Sequence, residues 1–285
     1  MPELPEVEHL RRSLLGPLVG ARIARAALHR RDILRPSDHT SLEPLEGHVV
    51  RGLERRGKRL MVVTDGPALL VHLGMTGMLR VSEPKSEALP HLHAEAWLVR
   101  GGGRSGPSSV LRFHDARRFG SLLLYRSRQR ATSSPHWEQL GPDALELTPD
   151  LLAQRLRGRR TAIKAALLDQ GVVAGIGNIY ADEALFRAQV HPQRATHRLD
   201  DGAVERLAVA CRSTLEAAIA AGGSTIRDYV DACGLTGEFA SQHAVYGRAG
   251  QPCLRCASTL RAGVVAGRTT VHCPGCQGRR TPGRR

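Results

Sequence analysis

Two Cys-x-x-Cys knuckles, Cys253-Leu-Arg-Cys256 and Cys273-Pro-Gly-Cys276, constrain this chain more than any other feature. The 16 residues between them fall within the spacing of structural metal sites. Each knuckle can turn two sulfurs toward one point, and four thiolates close a tetrahedron around Zn2+ with no open catalytic position. The intervening STLRAGVVAGRTTVH reads as a β-hairpin turning at Ala266-Gly267. Two disulfides are the rival reading, disfavoured where no secretory signal is present. The expectation is one structural zinc ion per chain, held by Cys253, Cys256, Cys273 and Cys276. His272 adjoins a ligand but is surplus to the count, and Cys211 and Cys233 stand alone as buried or bystander thiols.

Charge points to a polyanionic partner. The formal net charge is +14, and residues 241–285 hold eight arginines and no Asp or Glu, so this tail contributes +8 of it. The chain has 38 Arg against three Lys. Codon bias explains arginine replacing lysine but not the missing acids, so nucleic acid is the favoured partner. No apolar run approaches the roughly 20 residues that span a bilayer. The N-terminus lacks the basic and apolar regions of a signal peptide. A soluble, cytoplasmic protein without membrane contact is expected.

The texture of the sequence changes along its length. Residues 4–16 read as an amphipathic helix, with Val7, Leu10, Leu14 and Leu18 on one stripe. From about residue 20 to 126, short β-like runs alternate with turns, as in a β-sandwich. RGGGRSGPSS (100–109) is a Gly/Ser-rich loop, and the polar, Pro-terminated 127–135 reads as a linker. Helical patterns follow at 149–157, 161–170, 178–188, 201–221 and 223–232. The implied division is a β-sandwich domain over 1–126, a helical domain over 136–240, a four-cysteine finger over 241–279 and a basic tail over 280–285.

Several short motifs carry chemistry. In MPELPEVE, Pro5, Glu6 and Glu8 suit a helix start, but Met1 removal would also make Pro2 a secondary-amine reagent. Lys58, in RRGKRL, is a compact point charge in a chain that otherwise uses arginine. Lys164, in TAIKAALL, carries the same argument more weakly. In GVVAGIGNIYADEALF, Gly175 and Gly177 expose a helix start that Asn178 could cap, a potential phosphate site. HLGMTGM supplies Met75, and HDARRFG sets Arg117 beside Phe119; each could enter a DNA stack or simply pack in a core.

Taken in order, PELPEVE, RRGKRL, HLGMTG, ARRFG, TAIK, GIGNIYADEALF, VYGR-x-G-x-PC and the finger with GRTT resemble the bacterial formamidopyrimidine-DNA glycosylases nearly end to end. The resemblance implies an α+β fold: an N-terminal β-sandwich with flanking helices, then a helix–two-turns–helix domain and a zinc-binding β-hairpin. It implies excision of 8-oxoguanine and formamidopyrimidines from double-stranded DNA, with AP lyase activity at abasic sites, by a monomer acting on the nucleoid. By resemblance, Pro2 is the nucleophile, Glu3 the general acid and Glu6 an orienting group. Lys58, Asn178 and Arg268 are placed on phosphates flanking the lesion. Met75, Arg117 and Phe119 fill the space of the extruded base, and His91, Lys164 and Tyr246 join the DNA-binding residues. Residues 231–241 correspond to the segment covering the extruded purine.

The chain departs from the family pattern at Ala116, where proline is usual, at Leu92, where an acid is usual, and in a longer 100–109 loop. The alternatives are an endonuclease VIII-like glycosylase for oxidised pyrimidines and a non-catalytic zinc-finger DNA-binding protein. Leu4, HLGMTG and ARRFG favour the purine branch. Pro2, Glu3 and Lys58 argue for catalysis, because binding alone needs no N-terminal amine.

Overall fold

The computed structural model describes residues 2–101, 106–224, 231–232 and 234–278. Helix α1 (Leu4–Leu18) has Pro5 in its first turn and buries Val7, Leu10, Leu14 and Leu18. This is the stripe that helical periodicity predicts, and each such side chain is worth about 1.5–3 kcal/mol when buried.

Eight strands follow: β1 (Arg22–Leu28), β2 (Val50–Arg56), β3 (Arg59–Thr64), β4 (Ala68–His72), β5 (Gly77–Ser82), β6 (Leu92–Val99), β7 (Ser109–Asp115) and β8 (Ser121–Tyr125). They form two antiparallel four-stranded sheets, in the orders β1-β6-β7-β5 and β2-β3-β4-β8. One core joins them. Ile23, Leu98 and Phe113 from the first sheet meet Leu60, Val71 and Leu124 from the second, together with the α1 stripe. The expected sandwich is present.

The second sheet is apolar on both faces. Alternate residues of a strand point to opposite sides, so Leu60 and Leu124 enter the sandwich while Met61, Leu70 and Leu123 face away. That outer face needs a cover, and α2 (Arg128–Thr132) and α3 (Pro135–Glu138) supply it through Ala131 and Trp137. Residues 127–135 are therefore not the linker expected from their polarity. Ser127 caps α2 through the Arg130 N–H, and the compact unit runs on to Gln139.

The chain forms two compact units: Met1–Gln139 with Gly222–Glu238, and Leu140–Ala221 with Phe239–Arg285. The second contains α4 (Pro149–Leu156), α5 (Ile163–Leu168), α6 (Asn178–Arg187), α7 (Asp201–Ala220) and a hairpin of β9 (Arg261–Val265) and β10 (Arg268–His272). Helix α5 is shorter than its sequence pattern because Ala162 is extended and bridges Ala195. The helix expected over 223–232 lies mostly outside the described residues, as do Cys233, the centre of the 100–109 loop and the basic tail. Cys211 is wholly buried on α7, and burial pushes its thiol up to about 12, which leaves it unreactive. No described helix is long and apolar enough to cross a membrane.

Candidate active site and cysteine cluster

Pro2 and Glu3 lie buried immediately ahead of α1. Glu3 and Glu6 close a reciprocal capping box, in which the Glu3 N–H donates to Glu6 Oε2 at 2.7 Å. The other Glu6 oxygen accepts the Ser224 N–H at 2.7 Å. A Cβ at Gly223, whose φ is +88°, would lie 2.8 Å from that same carboxylate. Glu6 thus fixes the start of α1 against a turn that requires glycine.

Strands β2 and β3 join through Gly57-Lys58, with Arg56 opposite Arg59. Gly57, at φ 54°, supplies the positive φ that a two-residue hairpin demands. Lys58 sits in this turn yet is only 8% exposed. A relay holds the turn beside α1: Glu8 accepts Arg55 Nε at 3.0 Å, and Arg55 Nη1 donates to the Gly57 carbonyl at 3.0 Å. Glu8 also accepts from Arg11 and Arg12. Burial would raise the Glu8 carboxyl, but the three arginines outweigh it and hold the group at about 2. On β4, His72 pairs with Arg59, and its Nδ1 faces the Lys58 carbonyl at 3.5 Å. Burial, with the Arg59 charge, lowers His72 to about 4, so the imidazole is neutral near pH 7. Helix α1 packs on both β2 and β3, which places Pro2, Glu3 and Lys58 on adjoining elements of one unit.

Asp115, fully buried, organises a second group in this unit. Its Oδ1 accepts the Thr76 hydroxyl at 2.5 Å and its Oδ2 the Gly120 N–H at 2.7 Å. Thr76 Oγ1 in turn accepts the Arg117 N–H at 3.0 Å. The 73–76 and 116–120 loops are thereby locked side by side, so closely that a Cβ on Gly74 would lie 2.3 Å from the Phe119 carbonyl carbon. Held rigidly from below, Met75 and Phe119 remain 40% and 55% exposed. The Arg117 guanidinium lies 5.0 Å over the Phe119 ring. These three are surface side chains, which removes the core-packing alternative for them. His91 is exposed, with φ 62°, at the entry to β6.

In the second unit, Gly177 rather than Asn178 takes the N-cap position of α6. Asn178 is the first helical residue, and its Nδ2 donates to the Thr269 carbonyl on β10 at 3.0 Å. The glycine turn before it is held by Gln170, which accepts the Gly175 N–H and donates to the Ile176 carbonyl. Lys164 is wholly buried. It pairs with Asp182 at 2.7 Å and donates to Thr270 Oγ1 at 2.8 Å and the Thr269 carbonyl at 3.1 Å. The expectation that Lys164 binds DNA is therefore corrected: its charge is consumed inside the protein, fastening α5 to β10. Arg268 opens β10 just after the Ala266-Gly267 turn and is exposed. Both turn residues have positive φ, 49° and 69°, as a type I′ hairpin requires. Tyr246 is half-buried, its ring 5.5 Å from that of His243.

The four knuckle sulfurs lie within 4.8 Å of one another. The Cys253–Cys276 and Cys256–Cys273 sulfurs are 3.9 and 3.4 Å apart. Tetrahedral Zn–S bonds of about 2.3 Å put sulfurs about 3.8 Å apart, whereas a disulfide needs about 2.05 Å. The Arg255 N–H donates to Cys253 Sγ and the Cys276 N–H to Cys273 Sγ, as knuckles built for thiolates require. The cluster fits a metal ion and excludes the disulfide reading. His272 is turned elsewhere, its ring 4.6 Å from that of His191.

Profiles of the formamidopyrimidine-DNA glycosylase N-terminal domain and H2TH domain match residues 1–122 and 140–230. The chain belongs to the formamidopyrimidine-DNA glycosylase family. The formamidopyrimidine-DNA glycosylase of Thermomicrobium roseum is 47% identical, covering 97% of this chain and 99% of the relative. That of Geobacillus kaustophilus is 42% identical, covering 97% and 100%. Among solved structures, a Lactococcus lactis Fpg variant bound to Fapy-dG DNA superposes with a TM-score of 0.88 at 32% identity, covering 98% and 100%. The Thermus thermophilus MutM protein gives 0.84 at 39% identity, covering 97% and 99%.

Within this formamidopyrimidine-DNA glycosylase fold, three positioning groups escape sequence reading. Asp182 accepts the Val271 N–H at 3.0 Å, and Glu183 accepts the N–H groups of Ala244, Val245 and Tyr246. Both stand in the ADEALF run, where two adjacent acids flanked by apolar residues are the available signal. His72 is the third, adjoining Lys58 and lying just before the GMTG turn.

Proposed function

We propose that this chain is a base-excision-repair DNA glycosylase with AP lyase activity. Its substrates are 8-oxoguanine and formamidopyrimidines in double-stranded DNA, and it acts as a monomer on nucleoid DNA in the cytoplasm. The observation that carries this reading is the setting of Pro2-Glu3, at the start of α1, beside the buried Lys58 turn, in a family whose Lactococcus lactis member has been crystallised on Fapy-dG and abasic-site DNA.

Removal of Met1 frees the Pro2 amine. An α-amine titrates near about 7.7–8, so a useful fraction is unprotonated at neutral pH, and the positive end of α1 lowers it further. The Pro2 nitrogen attacks the deoxyribose C1′, forming an N–C bond as the bond to the damaged base breaks. Glu3 protonates the ring oxygen, the ring opens and the nitrogen loses its proton, leaving an iminium. That iminium draws electrons from C2′, whose proton is lost as the 3′-phosphate leaves; a second elimination releases the 5′-phosphate. Lys58, Asn178 and Arg268 hold phosphates near the lesion, assisted by His91 and Tyr246. Met75, Arg117 and Phe119 enter the vacated stack. Cys253, Cys256, Cys273 and Cys276 hold one Zn2+, which supplies rigidity to the hairpin bearing Arg268 and no reaction step.

Borohydride trapping on lesion-bearing duplexes tests this reading. The protein should be fixed to 8-oxoguanine DNA, with the adduct on the N-terminal proline. An adduct on Lys58, or no adduct at all, refutes it.

A further inference from the structure

The second unit carries a strongly basic surface that the catalytic reading does not use. Residues 151–168 and 184–199 contain no Asp or Glu, and the first includes Arg155, Arg157, Arg159 and Arg160. The fold joins the two stretches. Ala162 bridges Ala195, the Thr196 N–H donates to the Thr161 carbonyl at 2.9 Å, and Thr196 Oγ1 donates to the Arg159 carbonyl at 2.6 Å. Arg194 stiffens the second stretch by donating to the Arg198 carbonyl from both Nε and Nη2.

The basic groups divide into two sets. Arg159 and Arg194 face Asp169 and Asp200 at 3.4 and 3.5 Å. Arg155, Arg157, Arg160 and Arg198 are exposed, and among the described residues none of them has an acidic partner. Elsewhere on the surface Arg51, Arg126 and Arg212 do meet a carboxylate, pairing with Asp65, Asp38 and Glu216. Like charges without counterions repel one another, so these arginines add nothing to the stability of the fold by charge. A phosphate backbone supplies the missing anions, and each contact releases condensed counterions. Gly158, at φ 75°, has nothing within 4 Å of where a Cβ would stand, which leaves the backbone between Arg157 and Arg159 open to solvent.

We propose that Arg155, Arg157, Arg160 and Arg198 form a second phosphate-binding track for duplex DNA, separate from the residues assigned to the lesion. The track rests on the DNA-repair reading above. Its contacts are independent of sequence and of damage, so it serves the search along undamaged DNA and leaves the excision step alone.

The test compares two triple variants of the full chain. One is Arg157→Gln, Arg160→Gln, Arg198→Gln; the other is Arg51→Gln, Arg126→Gln, Arg212→Gln, which changes net charge equally. Affinity for an undamaged duplex is measured against salt concentration. The track variant should lower the slope of log K against log salt by about 0.9 per lost contact, or about 2.7 for three. The control variant should keep the wild-type slope, and both should excise 8-oxoguanine from a saturated short duplex at the wild-type rate. An unchanged slope in the track variant, or an equal fall in both, overturns the proposal. Wild-type protein that fails to excise any oxidised purine instead refutes the repair reading itself, so the two failures are distinguishable.

Discussion

Lys164 Nζ lies 2.7 Å from Asp182 Oδ1, and neither side chain is exposed at all. Between them they hold three successive residues of β10: Thr269, Thr270 and Val271. This strand begins at Arg268, so the pair sets where that arginine stands relative to Asn178, itself bonded to Thr269. Burial drives the Asp182 carboxyl up to about 6 against the pull of Lys164, a sign that this charge is costly to keep without its partner.

Breaking that pair should therefore be severe. Lys164→Met leaves Asp182 buried and unpaired, and should cost about 3–5 kcal/mol of stability. Adding Asp182→Leu removes the orphaned charge and should recover much of the loss in urea unfolding. Affinity for abasic-site DNA should stay low in the double variant, because β10 is no longer pinned. Full recovery of DNA affinity would show that the pair does not position Arg268.

Glu8 gives the first unit an acid-sensitive tie. Its carboxyl is held at about 2 instead of the usual 4.5. The folded state thus binds its proton more weakly than the unfolded state. Its contribution is complete above about pH 4.5 and is lost as pH falls toward 2. At 1.36 kcal/mol per pKa unit this is at most about 3.4 kcal/mol, before solvent screening reduces it. Glu8→Gln should lower stability at pH 7 and flatten the fall between pH 4.5 and 2, measured by denaturant melts across that range. A variant with the same acid slope as the wild type would place the tie elsewhere.

Zinc analysis of the purified protein should give about one ion per chain. Cys273→Ser should reduce metal content, DNA binding and strand cleavage together, since folding of the finger and metal binding are coupled. Thiol titration under denaturing, reducing-agent-free conditions should find the knuckle cysteines available once metal is chelated. Disulfide-linked knuckles in protein kept reduced would contradict the geometry.

Much of this could be read directly from the residues, for physical reasons. The α1 stripe is visible because 3.6-residue periodicity is a local property, and the cysteine knuckles because ligand spacing is local too. The covering role of 127–138 was hidden because its cause lies elsewhere: β3, β4 and β8 are apolar on both faces, which demands a second layer. A run such as SLLLY carries that demand, but it does not say which segment answers it. Asp182 was hidden differently. Besides Lys164 it accepts the N–H of Val271, 89 residues away, and backbone donors have no side-chain signature. Lys164 misled because a lysine among arginines suggests a solvent-facing point charge, while the fold spends that charge on Asp182.

The exposed trio allows a discriminating test. Asp115 locks the two loops beneath Met75, Arg117 and Phe119, so these side chains are presented rigidly instead of being packed away. If they occupy the stack vacated by an extruded base, they act before chemistry. Unstacking costs a few kcal/mol, so loss of a wedge should slow excision by about tenfold or more. Phe119→Ala should therefore slow release of 8-oxoguanine from duplex DNA while leaving cleavage at a pre-formed abasic site much less affected, because no base needs extruding there. Arg117→Ala should in addition relax discrimination between cytosine and adenine opposite the lesion, since its guanidinium can donate to the orphaned base. Asp115→Asn, which disturbs the support and leaves all three side chains in place, should reproduce the Phe119→Ala pattern in weaker form. Single-turnover rates on the two substrates supply the comparison. Equal losses on both would mean that these residues serve general DNA binding, and the wedge assignment would fail.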